Sequence, residues 1–163
     1  MPAPAQNRSL RFAGLALTAS VALYIAIVAF SNITDFGTNQ AFVRHVLTMD
    51  TTFKDDDLTW RAITSHTVAD AVYVVIIAWE ALAALILVLA AVLWIPAPAR
   101  ARRVSTLGLV LLMVLFGAGF IGIGGEWFAM WQSKDWNGVE AATRVFVFAG
   151  ISLLVVNLPG DRS

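Results

Sequence analysis

The sequence contains no cysteine. That absence excludes disulfides, thiolate nucleophiles and Cys-based zinc or iron–sulfur centres. Charge is scarce too. Asp, Glu, Lys and Arg make up 13% of the 163 residues, about half the usual share in a soluble domain. The charges sum to zero, so the balance offers no general attraction to nucleic acid. Histidine occurs only at His45 and His66. Neither lies inside an apolar run, which argues against a haem held between two buried imidazoles. No Ser-His-Asp arrangement or other hydrolase motif stands out. With 59% hydrophobic residues, the chain is too apolar to keep its exterior in water.

What it does have is four apolar runs, at 12–30, 68–95, 107–123 and 145–158. A membrane-spanning helix needs about 20 mostly apolar residues. In hydrocarbon the backbone must satisfy its own hydrogen bonds, so such runs become helices. Pro96 and Pro98 end the second run, and Pro159-Gly160 closes the fourth. The first run is longer than a signal-peptide core and lacks a small-x-small cleavage pattern, so it reads as a retained span. The expected fold is an all-α, four-helix transmembrane bundle in one domain, 1–163. Its spans fall at about 10–30, 68–95, 105–126 and 140–158. A short helical outer cap comes from 31–67 and 127–139.

Orientation follows from the short loops. Arg8 and Arg11 precede the first run, and Arg100, Arg102 and Arg103 lie between the second and third, all without acids nearby. The other two loops hold most of the acids. The positive-inside rule then puts both termini in the cytoplasm and the cap in the periplasm of a bacterial inner membrane. Within the cap, "NQAFVRHVLTM" spaces Phe42, Val43, Val46 and Leu47 as one face of a short helix. "LTWRAITSH" reads as a second helix that runs into the second span. His45, His66 and the run Asp55–Asp57 read as a solvated face, and no metal site is expected.

Gly117, Gly119 and Gly122 spell G-x-G-x-x-G, with Glu140 downstream. A dinucleotide turn requires a strand before it and a helix after it. Here an uninterrupted membrane-length run precedes the glycines, so no nucleotide is expected. The glycines read instead as a helix-packing face of Ala118, Gly119 and Gly122. Without side chains there, a neighbouring helix or a second subunit can approach closely.

Glu80 is the most conspicuous polar residue, in "VVIIAWEALAALILVLAAVLW". At about 1.5 Å per residue it lies about 22 Å from Ile95, in the outer half of the bilayer core. A carboxylate there costs at least about 2.5 kcal/mol, so it must pair, protonate or face a hydrated cavity. Tyr24 and Arg144 are expected at similar depth and join Glu80 as the intramembrane polar candidates. Glu126 and Arg144, on consecutive spans, are expected to form a salt bridge. Trp60, Trp127, Trp131 and Trp136 fall at the outer interface and Trp94 at the inner one, as an aromatic belt. Trp79 is deeper and needs a packed or hydrogen-bonded place. Asp70, at the outer start of the second span, is expected to face water.

"GGEWFAMWQSKDWNG" at 124–138, followed by Arg144, resembles the signature of a bacterial family described only as small integral membrane proteins. The likeness extends to "WRAIT" at 60–64 and "AWEALAA" around Glu80. The resemblance implies four spans but no activity. It directs attention to Glu126, Trp127, Trp131, Gln132, Trp136, Asn137 and Arg144 as a shared outer-face cluster. Asn137 is also suited to cap the helix that follows.

The functional expectation is a non-enzymatic accessory or scaffold subunit of a membrane assembly, without a cofactor. Its partners would be the lipid bilayer and a membrane protein or a second copy of the chain. The alternative is a small transporter or ion- or proton-conducting oligomer using Glu80. A third reading is a lipid- or quinone-linked enzyme, for which the sequence offers no adequate site.

Overall fold

In the computed structural model, residues 8–53 and 56–159 are described; Asp55 of the acidic run and Gly160 fall outside them. Every regular element among the described residues is helical. Helix α1 covers Arg8–Thr34. A tight turn, closed by Asp35 N–H donating to the Ser31 carbonyl at 2.8 Å, leads into α2, Phe36–Thr48. Helix α2 stops at Met49, which takes the left-handed conformation at φ 53° and satisfies a last-turn carbonyl as a C-cap does. A single turn, α3 (Asp56–Thr59), follows.

Helix α4, His66–Leu93, begins where the Ser65 hydroxyl accepts from Val68 N–H, the usual means of satisfying an orphan first-turn donor. The cap therefore contains no continuous helix running from Leu58 into α4. The expected second helix is reduced to α3, and turns and extended chain separate it from Ser65. Pro98 sits in the first turn of α5, Pro98–Met113, where a missing N–H costs nothing. The same span continues to Trp127 with wider π-type turns. Helix α6 covers Val139–Val156.

Four of these helices are long and apolar enough to cross a membrane: α1, α4, α5 with its π-helical continuation, and α6. They form a ring, with α1 against α4 and α6, and α5 against the same two. The centre is filled by small and aliphatic side chains, among them Val21, Ile25, Ala83, Leu87, Leu112 and Ala149. Large apolar side chains face outward on every span, for example Leu23, Leu85, Leu107 and Leu154. An apolar exterior around an equally apolar core fits hydrocarbon as the solvent, where packing rather than water exclusion holds helices together.

Trp94 corrects the belt expectation. It is 1% exposed, inside the arginine-loop end of the bundle. Its indole N–H donates to Thr18 Oγ1 at 3.0 Å and Ser105 Oγ at 3.2 Å. These two hydroxyls are 3.1 Å apart. Gly14 makes room for the ring: a Cβ there would lie 2.5 Å from Trp94 Cη2. Arg11 donates to the Trp94 and Ile95 carbonyls, satisfying acceptors left at the end of α4. Three spans are thus tied by one indole.

The glycines of the third span behave differently from the expected Ala118–Gly119–Gly122 face. Ala118 and Gly122 are exposed, and no atom of another helix lies within 4 Å of a Cβ built at Gly119 or Gly122. The close approaches of this span within the chain are at Gly108, where a Cβ would come 2.6 Å from Leu87 Cγ on α4, and at Gly117, where it would come 2.8 Å from the Phe146 ring on α6.

Candidate functional site

The polar centre of the bundle lies where the cap meets the spans. Glu80 projects inward from α4 and is 2% exposed. Its Oε2 accepts from Asn32 Nδ2 at 2.7 Å. Asn32 Oδ1 in turn accepts from Asn39 Nδ2 at 2.6 Å. The Asn32 carbonyl receives the Tyr73 hydroxyl at 3.3 Å. The result is a directional chain from α2 through α1 to α4, in which the Asn32 amide uses both its donor and its acceptor.

Local sequence explains the placement. Tyr73 and Glu80 are two helical turns apart, so they share a face of α4. The "FSNIT" stretch does not break the first span. It remains helical, and Asn32 falls on the same buried side as Ile25 and Ala29. Phe36 packs its ring against Tyr73 at 4.7 Å, which holds the start of α2 over the site.

Glu80 borders a cavity of about 430 Å³. Tyr24, Asn32, Asn39, Phe42, Tyr73 and Asn137 contribute to its wall, with Phe116 and Phe120 from the third span. Tyr24, Asn39, Asn137 and Ala141 are exposed, so the mouth lies between α1, α2 and the start of α6. Toward the arginine-loop end, Ala83, Ala84 and Leu87 close the core against Val21, Ile25 and Leu109. The cavity is one-sided. Glu80 is its single carboxyl among the described lining residues. Its Oε1 receives no hydrogen bond from any described residue.

Of the expected intramembrane candidates, Tyr24 shares the cavity with Glu80. Arg144 lies within electrostatic range of Tyr24 but forms no ion pair with Glu80, and Glu126 and Arg144 do not pair either. Among the described residues Arg44 pairs with Asp70, and His45 Nδ1 lies within hydrogen-bonding distance of Asp50 Oδ2, at 2.7 Å. Glu126 and Arg144 are both exposed, so each is free to remain hydrated. Asp70 therefore does not simply face water. Its two oxygens accept Arg44 Nε and Nη2, each at 2.8 Å. That bond holds the Arg44 guanidinium above the ordinary arginine range and clamps α2 to α4 in a two-pronged geometry.

The outer-face residues form several small contacts rather than one cluster. Trp127 meets Trp60 edge-on at 5.7 Å, and Arg61 lies 4.6 Å above the Trp127 ring. Trp131 meets Phe53 edge-on, while Gln132 Oε1 accepts Phe53 N–H at 3.0 Å. Trp136 stacks on His45 at 4.4 Å. Asn137 Oδ1 accepts Val139 N–H, although the residue in the cap position of α6 is Gly138. A Cβ at Gly138 would come 2.9 Å from Phe42 Cζ, so a larger residue there must displace the Phe42 ring. Arg144, exposed on α6, forms no hydrogen bond or ion pair with the described residues of this group. Trp79 donates to the Leu111 carbonyl at 3.0 Å, just before the third span widens. Among the described residues, no three His, Asp or Glu side chains gather as a metal site.

Sequence reading alone missed Asn32, Asn39 and the Arg44–Asp70 clamp. The seven-residue spacing of Tyr73 and Glu80 was the available signal for a polar face. Asn32 looked like a loop residue because it neighbours Ser31, Thr34 and Asp35.

A family model described as "Predicted small integral membrane protein (DUF2165)" matches residues 10–159. The chain belongs to that family. No curated protein and no solved structure matches it.

Proposed function

We propose that this member of the family is a non-enzymatic accessory protein of the bilayer that holds a small ligand in its Glu80 cavity. The carrying observation is the second oxygen of Glu80, which receives no hydrogen bond from a described residue and borders open space although the residue as a whole is buried. An uncompensated carboxylate at that depth costs at least about 2.5 kcal/mol. A donor or cation arriving from outside offsets that cost, and the offset becomes binding energy. The charge pattern of the loops supports a bacterial inner-membrane location with cytoplasmic termini. The ligand then enters from the periplasmic leaflet or from water above it.

Conduction through Glu80 is less well supported. A proton or ion path needs successive polar stations, and the core beyond Glu80 is closed by alanine, leucine and isoleucine. An enzyme is supported less again. The cavity wall offers a carboxyl, amides and phenols, a set suited to binding and lacking a nucleophile beside a base.

Native mass spectrometry of the protein released from its own membranes tests the ligand reading. The wild type is expected to carry a small-molecule adduct that Glu80→Gln loses and Glu126→Gln keeps. Identical spectra for all three would overturn the reading.

A second reading has its own observation. Ala118 and Gly122 are exposed on the third span, Ala118 in an open groove beside Phe146 and Leu153 of α6 and Gly122 with no atom of another helix within 4 Å of a built Cβ. This favours a second copy of the chain as the partner, since small residues in lipid mark helix contacts. An Ala118→Cys variant is expected to form a disulfide dimer in membranes, which the cysteine-free background makes unambiguous. A strictly monomeric product under oxidation would dismiss that reading.

A further inference from the structure

The wide turns of the third span bear on what the ligand is. Hydrogen bonds in this stretch reach five residues back; Phe128 N–H, for example, donates to the Ile123 carbonyl at 3.0 Å. In such a helix, residues five apart lie above one another, whereas an ordinary α-helix would turn them well apart. Gly119 and Gly124 are five apart, and the Gly119 carbonyl lies 3.6 Å from a Cβ built at Gly124. Gly122 and Gly125 each show the same five-residue relation, so it is the pitch of the whole stretch, and that pitch brings Gly119 and Gly124 onto one face.

Their shared face borders a second space, of about 180 Å³. Its wall is almost wholly apolar, with Val46 and Leu47 from α2, Val72 from α4, and Leu115 from the third span. At Gly119 the only neighbour within 4 Å of a built Cβ is Leu115 Cδ1 at 3.8 Å. The missing side chain leaves volume there instead of admitting another helix. Phe42, Val43, Ile76 and Phe120 belong to the walls of both this chamber and the Glu80 cavity. A polar space and an apolar one thus adjoin along these four side chains.

The polar space favours a cation. Glu80 Oε1 and Asn39 Oδ1 are both acceptors that receive no hydrogen bond from described residues. Tyr24, Phe42, Tyr73, Phe116 and Phe120 supply aromatic faces around them. Ammonium groups bring several donors and a positive charge to such surroundings.

We infer that the site binds an amphipathic amine, with its ammonium group at Glu80 and its hydrocarbon chain in the chamber bordered by Gly119 and Gly124. The inference rests on the Glu80 reading above and adds the chain. Dispersion contacts with the chamber wall favour the bound chain over lipid, so chain length matters beyond simple partitioning. Gly119 is positioned to determine specificity, since its missing side chain sets the volume available to the chain, whereas Met130 Cε already lies 3.5 Å from a Cβ built at Gly124.

The test is binding of methylammonium and octylammonium to the full-length protein in lipid nanodiscs, by calorimetry. Glu80→Gln and Gly119→Leu are compared with wild type in the same bilayer, so partitioning cancels. Glu80→Gln is expected to abolish specific binding of both amines. Gly119→Leu is expected to leave methylammonium unchanged and to weaken octylammonium at least about tenfold, or about 1.4 kcal/mol. If Gly119→Leu does not fold by circular dichroism, Val72→Phe fills the chamber from α4 and carries the same expectation. Glu80-dependent binding with equal affinity for both amines in wild type and filled variants would overturn the chain inference and spare the cavity reading. Amine binding that ignores Glu80 would overturn both.

Discussion

Asn32 and Glu80 join α1 to α4 through a 2.7 Å hydrogen bond inside the bundle. It is the one hydrogen bond that the carboxyl receives among the described residues. Asn32 thus fixes where the remaining oxygen points. Asn32→Ala is expected to destabilise the fold by about 1–3 kcal/mol, as for other buried groups stripped of a partner. Glu80→Gln retains an acceptor for Asn32 and is expected to cost less. Unfolding equilibria in mixed micelles check the order. A larger loss for Glu80→Gln than for Asn32→Ala would contradict it.

Gly14 and Trp94 are coupled by contact. Gly14→Ala drives a methyl group into the indole and is expected to cost about 1–3 kcal/mol through overpacking. Trp94→Phe removes the donor to Thr18 and Ser105 but shrinks the ring. The double variant is expected to be less damaged than the sum of the two single losses. Strict additivity in a double-mutant cycle would show that the two positions do not touch.

The Arg44–Asp70 clamp is half exposed, so its effect is local. Asp70→Asn is expected to speed amide exchange in α2 while leaving the centres of α1 and α6 protected. High salt is expected to narrow the difference between Asp70→Asn and wild type, because exposed charge pairs are screened. Equal α2 exchange rates in the two proteins at low salt would remove the clamp from the account.

Phe42 links Gly138 to the site. Gly138→Ala places a methyl group 2.9 Å from the Phe42 ring end, and the ring must move within the wall shared by the two spaces. The variant is expected to fold, to shift the Phe42 aromatic resonances and to weaken octylammonium binding. Unchanged Phe42 resonances would contradict that placement.

The spans were legible because a bilayer imposes one strong rule on length and polarity. Glu80 was legible because a carboxyl in an apolar run has no cheap explanation. Asn32 was not, since an amide near a span end is common and its burial depends on α2 folding back over it. Trp94 misled for a related reason: a tryptophan at a span end usually sits among headgroups, and only Gly14, Thr18 and Ser105 on two other helices draw it inward. The wider turns after Met113 were not legible, since nothing in the glycine spacing announces them. They leave Ala118 and Gly122 exposed, where the packing reading allowed a second subunit as well as a neighbouring span.

Crystals grown from a lipid mesophase, with octylammonium present, give the most direct view of the central claim. The account predicts density for a nitrogen within hydrogen-bonding distance of Glu80 Oε1, continuing as a chain beside Gly119 and Gly124. A structure in which Arg144 closes over Glu80 while the chamber is filled by protein side chains would contradict it.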